Sequence, residues 1–365
     1  MKTNTKRVHE PLFHVIKRAQ IPFWQAMAIR LGAIVIAFLF STMLASLLLG
    51  RSPIDFISTF VNGAVGTPRK VWNLAKDGAK LLCISLAVTP AFRMKFWNIG
   101  AEGQTLIGAL AAIAVVFYLG GKIPNAPLLV LMFFAALIVG AIWGGIPAIF
   151  KAKWQTNETL FTLMMNYVAI GLVEFFLKIW VTSGSGVLGE LKFGHLPLVG
   201  HKYLLLIICA VVIAVLLYIY LNFTKQGYEV SVVGESENTA RYIGINVGKV
   251  VIRTMLISGA LCGIAGFLIV SALDHSVTPE TVGGMGFTAI MVSWLAKFNP
   301  LTMIVSSLFI IFLQNGASEI ADTFRIDSSF PNMVVGIVLF FIIGCEFFIN
   351  YKLKFRESAK KGEKA

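Results

Sequence analysis

Ten apolar stretches separated by short polar ones set the pattern of this chain. They run roughly over 28–50, 75–92, 102–120, 126–149, 156–181, 203–222, 251–272, 284–298, 300–321 and 330–350. Most approach the ~20 residues with which an α-helix crosses a bilayer. The pattern predicts an all-α, polytopic integral membrane protein with about ten transmembrane helices. The stretch over 284–298 is short and opens on glycines, so a broken or re-entrant helix is the alternative there. A membrane domain over 28–350 is thus expected between tails over 1–27 and 351–365. Three connections are longer than the rest: 51–74, 182–202 and 223–250.

Composition agrees. Hydrophobic residues make up 57% of the 365, charged residues only 13%, and mean hydropathy is +0.80. A soluble domain carries about 25% charged residues. Most of the 31 Lys and Arg fall on one side of a ten-span topology, the side that holds both tails and the 223–250 loop. By the positive-inside bias that side is cytoplasmic, and the plasma membrane is the expected location. The net charge of +13 then reflects this bias and contact with an anionic leaflet, not nucleic acid, because no soluble domain exists to carry a basic groove. The basic start resembles a signal peptide, but the apolar run behind it is too long and nine more follow. Cys83, Cys209, Cys262 and Cys345 each fall inside a predicted helix, without metal or redox spacing, and read as packing residues.

The densest polar chemistry lies at Trp97-Asn98-Ile99-Gly100-Ala101-Glu102-Gly103-Gln104, between two spans. A carboxylate beside hydrocarbon is costly, so such groups usually face a protein interior or a watery path. Asn98, Glu102 and Gln104 are therefore lead candidates for a solute path. Glu102 fits equally well as an acid on the first turn of its own helix. Mid-span Asn166 fits either helix–helix hydrogen bonding or ligand contact. Glu174 with Lys178, and Asp77 with Lys80, have spacings that suit structural ion pairs. Gly259, Gly263 and Gly266 permit close helix approach. Gly100–Gly103 and Gly283–Gly286 open spans five apart, which leaves open an inverted five-helix repeat.

The 223–250 loop holds one helical signal over 237–243. Ser236 suits the N-cap, Glu237 the positive end and Gly244 a left-handed stop. Two turns are marginal alone in water, so the helix must lie on its own bundle or dock into a partner's groove. Catalytic and nucleotide signatures fail. Gly244-Ile-Asn-Val-Gly248-Lys249-Val250 is one residue short of a phosphate loop and ends in Val, and His9-Glu10 with His14 lacks zinc-protease spacing. No cofactor is called for.

These blocks, in order, resemble a family. The chain is similar to permease subunits of ABC transporters of the ribose/branched-chain amino acid/nucleoside group. Within it the likeness is greatest to the longer permease of nucleoside importers that work with a basic-membrane-protein lipoprotein. The resemblance rests on Asn98–Gln104, Trp143–Lys153, Thr162–Tyr167, Gly234 with Ala240–Gly244, Met255–Ala260, Gly263–Gly266 and Gly284–Phe287, and covers roughly 80–350. It implies a transport permease rather than an enzyme, importing a nucleoside or simple sugar by alternating access. It implies ABC ATPase subunits that hydrolyse ATP, a second and non-identical permease, and an external substrate-binding lipoprotein. It places ATPase coupling at Gly234, Glu235, Glu237, Asn238, Arg241, Tyr242 and Gly244. Ser231, Ser236-Glu237, Ile269 and Thr288 depart from the family pattern, the last two where nucleoside-type relatives have acids. The competing reading from the residues is a stand-alone secondary transporter, coupled to ions through Glu102 or Glu174.

Overall fold

A computed structural model describes residues 13–17, 22–50, 52–181, 186–327 and 329–355; parts of both basic tails and of the 182–202 connection lie outside the described residues. The helices are α1 (Phe23–Leu49), α2 (Pro53–Val65), α3 (Pro68–Arg93), α4 (Ala101–Leu119), α5 (Asn125–Trp154), α6 (Glu158–Trp180) and α7 (Leu204–Phe223). They continue with α8 (Lys225–Glu235), α9 (Glu237–Tyr242), α10 (Val247–Ile269), α11 (Met285–Leu295), α12 (Pro300–Phe324) and α13 (Phe330–Asn350). A π-helical turn, Val270–Asp274, prolongs α10. Strands β1 (Phe13–Lys17) and β2 (Tyr351–Phe355) pair antiparallel, Phe13 opposite Phe355.

All ten apolar stretches are helical. Among the described residues, eight helices are long and apolar enough to cross a membrane. The two exceptions are α3, whose first half carries Arg69, Lys70, Lys76, Asp77 and Lys80, and α11, with 11 residues. At 1.5 Å per residue α11 covers only about half of a ~30 Å hydrocarbon core, so the broken-helix alternative holds for this segment.

Two of the three long connections are more ordered than the hydropathy pattern suggests. The 51–74 connection is largely helix. Ser52 accepts a hydrogen bond from the Ile54 amide ahead of Pro53, and Thr67 accepts one from Lys70 ahead of Pro68. An N-capping hydroxyl followed by proline at the first helical position starts α2 and then α3. The 223–250 loop contains α8 in addition to the expected short helix, with Thr224 capping it through the Gly227 amide at 3.1 Å.

The fold divides into two compact units, one of residues up to Gly66 and from Leu313 on, the other Thr67–Phe312. In the smaller unit α1 packs on α13, and Arg30 pairs with Glu346 at 2.6 Å. Phe56 and Phe60 of α2 meet Phe324 and Phe38 at ring separations of 4.6 and 4.7 Å.

In the larger unit α10 lies against α3, α4 and α5. Its glycines explain the contact. A Cβ on Gly263 would collide with the Ala136 carbonyl, and one on Gly259 with the Gly140 carbonyl. Bare backbone therefore touches bare backbone along the α5 crossing, as the glycine spacing predicts. The two ends of α10 lie in different surroundings. Its first turns share a core with Ala240 of α9 and Val230 and Val233 of α8. Its far end meets the 186–202 connection, where the Leu191 amide bonds to the His275 carbonyl and His195 stacks on His275 at 3.8 Å. Burial, with the charges of His195 and Lys202, holds the His275 imidazole below its usual range.

Candidate functional site

The polar knot at 97–104 forms where α4 begins, and it is fully bonded. Asn98 is completely buried. Its amide accepts from the Gly100 amide at 3.0 Å, donates to Ser258 of α10 at 3.4 Å and exchanges two bonds with Gln104. Ser258 in turn donates to the Ala87 carbonyl of α3 at 2.7 Å. Asn166 of α6 donates to the Ile99 carbonyl and accepts from the Gly103 amide, both at 2.9 Å. Thr162, one turn earlier, accepts from the Ile99 amide at 3.1 Å. Buried amides left without partners would be costly. Here they tie the interruption before α4 to three other helices, and Asn166 is fully engaged in joining α6 to α4.

Glu102 does something the sequence does not predict. It sits on the first turn of α4, but its carboxylate reaches another helix, accepting from the amides of Gly284 at 2.8 Å and Gly286 at 2.7 Å. These are the opening amides of α11, and a carboxylate suits a helix N-terminus. A Cβ on Gly286 would lie 2.5 Å from the Glu102 amide nitrogen, so glycine is required for this approach. The glycine-rich blocks at 100–103 and 283–286 are thus neighbours in space. The irregular 275–284 backbone before α11 is held by Lys80, which donates to the Thr281 carbonyl at 2.7 Å, while the Thr281 hydroxyl accepts from the Thr278 amide at 2.8 Å. Asp77 pairs with neighbouring Lys76 at 3.2 Å instead of with Lys80. Glu174 and Lys178 are both exposed, and no salt bridge joins them among the described residues. A half-length helix capped by a carboxylate, behind irregular backbone, is the arrangement used where polar cargo meets a membrane protein.

At the other end of α10, α9 shows two faces. Ser236 caps it through the Thr239 amide at 3.2 Å, and Gly244 closes it with φ of 85°, both as expected. Ala240 is 0% exposed in the core shared with α8 and α10, whereas Tyr242 is 93% exposed. Glu235, Glu237, Asn238 and Arg241 face outward with Tyr242, and Arg241 lies 3.4 Å from Glu237. The mount beneath is firm. Gly234 abuts the Arg93 carbonyl at the end of α3, Arg93 donates to Ser231 at 3.1 Å, and Arg253 of α10 pairs with Glu229 of α8 at 2.9 Å.

Residues 71–343 match the family model described as branched-chain amino acid transport system / permease component. The chain belongs to this permease family. It is 30% identical to a glucose ABC transporter permease protein, TsgB13, of Haloferax volcanii, over 75% of this chain and 76% of that one. It is also 30% identical to a guanosine ABC transporter permease protein, NupP, of Bacillus subtilis, over 82% and 87%. A second guanosine ABC transporter permease protein of the same organism, NupQ, is 26% identical over 70% and 83%. The chain is therefore a multi-pass membrane permease of ABC transporter type, and not an enzyme. The ion-coupled secondary transporter is set aside on this ground.

The family match includes both the broken crossing and the α8–α9 face. Lys80, Ser258 and Thr281 join this network without having been singled out as site residues in the sequence, where Lys80 was paired with Asp77. Only Lys80 left a signal, as a charge where the polar first half of α3 gives way to its apolar second half. Ser258 and Thr281 join the network through contacts 160 or more residues away in sequence, which no local pattern carries.

Proposed function

We propose that this permease is the membrane half of an ATP-driven importer of a nucleoside, and that ATPase subunits grip it at α9. The observation that carries the coupling reading is the contrast within one six-residue helix, Ala240 sunk in the core and Tyr242 standing clear of it. A short helix exposed on one face and anchored on the other transmits a push into α3 and α10, to which its mount is bonded. Asn98, Glu102, Gln104 and Asn166 are the solute-path residues of this proposal. Glu102 is the movable one, because among the described residues its carboxylate bonds to the α11 amides alone; the other three brace the break before α4. Alternating access then amounts to a bias between states that Glu102 clamps and releases. NupP, matched over the larger share of its length, favours a nucleoside; the equally identical TsgB13 makes a simple sugar the second reading. Two guanosine permeases from one organism support a non-identical partner subunit. An external binding lipoprotein would deliver the solute. The β1–β2 pairing, which joins Phe13–Lys17 to Tyr351–Phe355, supports tails that share one side, the cytoplasmic one.

Arg241→Glu tests coupling. The Arg241–Glu237 pair is exposed and adds at most ~1 kcal/mol, so folding should survive. Uptake of radiolabelled nucleoside should be lost, and the ATPase should no longer co-purify, while the variant stays in the membrane with unchanged melting. Uptake at the wild-type rate would refute α9 as the docking helix.

A further inference from the structure

Beside α8, through the Arg93–Ser231 bond, a cleft of about 330 Å³ opens between the end of α3, the end of α7 and the α11–α12 turn, lined by Arg93, Tyr218, Asn222, Lys297, Phe298 and Asn299. It has two cations and no acid in its lining. Among the described residues Arg93 is aimed by neutral groups: its Nε donates to Ser231 at 3.1 Å, and both terminal nitrogens donate to Asn222 Oδ1 at 3.2 and 3.3 Å. Asn222 is itself fixed by donating to the Tyr218 carbonyl at 3.0 Å. A guanidinium has about five N–H donors in a rigid fork. The bonds to Ser231 and Asn222 leave part of that fork free, and among the described residues no carboxylate pairs with its charge. Lys297 and Phe298, across the cleft, hold left-handed backbone at φ of 51° and 58°. That conformation is uncommon for side-chain-bearing residues and persists only where surroundings enforce it.

We infer that this cleft binds a phosphate group, and that the phosphate belongs to the headgroup of an anionic phospholipid. The surroundings favour lipid over free anion. The helix α7 packs mainly on α3 through the single stripe Leu206, Ala210, Ala214, Leu217 and Leu221. Much of the rest of its surface is apolar and exposed, at Ile208, Val212, Val215, Leu216, Ile219 and Phe223, the last beside cleft-lining Tyr218. Acyl chains can lie along that face while the headgroup meets Arg93 and Lys297. Exposed Trp97 and Trp294, 5.6 Å apart, and Phe298, 5.9 Å from Trp294, supply the aromatic rim typical of the membrane–water boundary. Arginine is suited to phosphate, and basic pockets between helices on the cytoplasmic side hold acidic headgroups. The choice of leaflet rests on the proposed topology; the binding does not.

The test uses the full chain in mild detergent with equal phosphatidylglycerol and phosphatidylcholine, read by native mass spectrometry. Wild type should retain phosphatidylglycerol preferentially. Arg93→Gln and Lys297→Gln should each lower that retention about tenfold, the scale of one lost charge-assisted bond. Lys297 is exposed at a turn, so its variant keeps the test valid if Arg93→Gln misfolds. Lys122→Gln, at a turn outside the cleft, should retain lipid as wild type does. Equal retention of both lipids, or no change in either cleft variant, would overturn the site. Displacement of the lipid by millimolar inorganic phosphate would overturn the lipid assignment in favour of a free anion. Loss of a co-purifying ATPase with lipid retention unchanged would overturn it in favour of a protein contact. Failure of the α9 proposal would leave the lipid measurement unaffected.

Discussion

At the scale of single residues, position in sequence gave Glu102 two roles and the fold gives it a third. Its location at the start of α4 was legible, because an acid between two apolar spans has few places to go. Its partners were not, because they lie 182 and 184 residues away. The same holds for Asn98 and Asn166: their burial could be expected, while the particular amides they satisfy depend on how α4, α6 and α10 cross. Glu102→Gln is the sharpest test. A carboxylate accepts on both oxygens, whereas a glutamine amide offers one acceptor and sets an N–H donor against a second amide donor. Loss of a charge-assisted bond and the new mismatch should cost about 1–3 kcal/mol locally, at the start of α11. Transport should fall strongly, with ATPase co-purification close to wild type. If transport and association fall together, Glu102 is a structural cap and nothing more.

At the scale of elements, the long apolar helices were evident from their length, and α9 from its cap, charge and glycine stop. The errors fell on α2 and α8, and on the first turns of α3. These carry too much polarity to register as spans, and their Ser52-Pro53, Thr67-Pro68 and Thr224 starts are short signals amid loop-like composition. The α5–α10 crossing is where element packing was most legible, through glycines four residues apart. Gly263→Ala probes it. The added methyl would have to displace the Ala136 carbonyl, which is backbone and cannot swing aside. Overpacking of this kind typically costs about 1–3 kcal/mol. Thermal unfolding in detergent should show a clear drop in melting temperature. An unchanged midpoint would mean that the two helices do not approach so closely. Gly171→Ala, on α6 with open space around the position, is the matched control and should leave melting unaltered.

At the scale of the whole molecule, the distribution of charge and the path of α10 predict the same sidedness. One end of α10 is rooted under α9, in the loop that the charge bias assigns to the cytoplasm; the other meets the 186–202 connection. The helix has 23 residues and so runs about 35 Å, enough to separate two faces of a bilayer. Tyr242 and Leu198, both strongly exposed, are therefore expected in opposite aqueous compartments. Single cysteines at these positions can be labelled with a membrane-impermeant maleimide. Tyr242→Cys should react in inverted vesicles and stay silent in intact cells; Leu198→Cys should do the reverse. The background is low, since Cys83, Cys262 and Cys345 are buried and Cys209 is partly so. Labelling of both positions from one side would break the link between α10 and a full crossing, and with it the assignment of α9 to the cytoplasm. The reverse pattern, Tyr242→Cys reactive in intact cells, would keep the crossing but turn the molecule over, and α9 would then face a compartment without ATP.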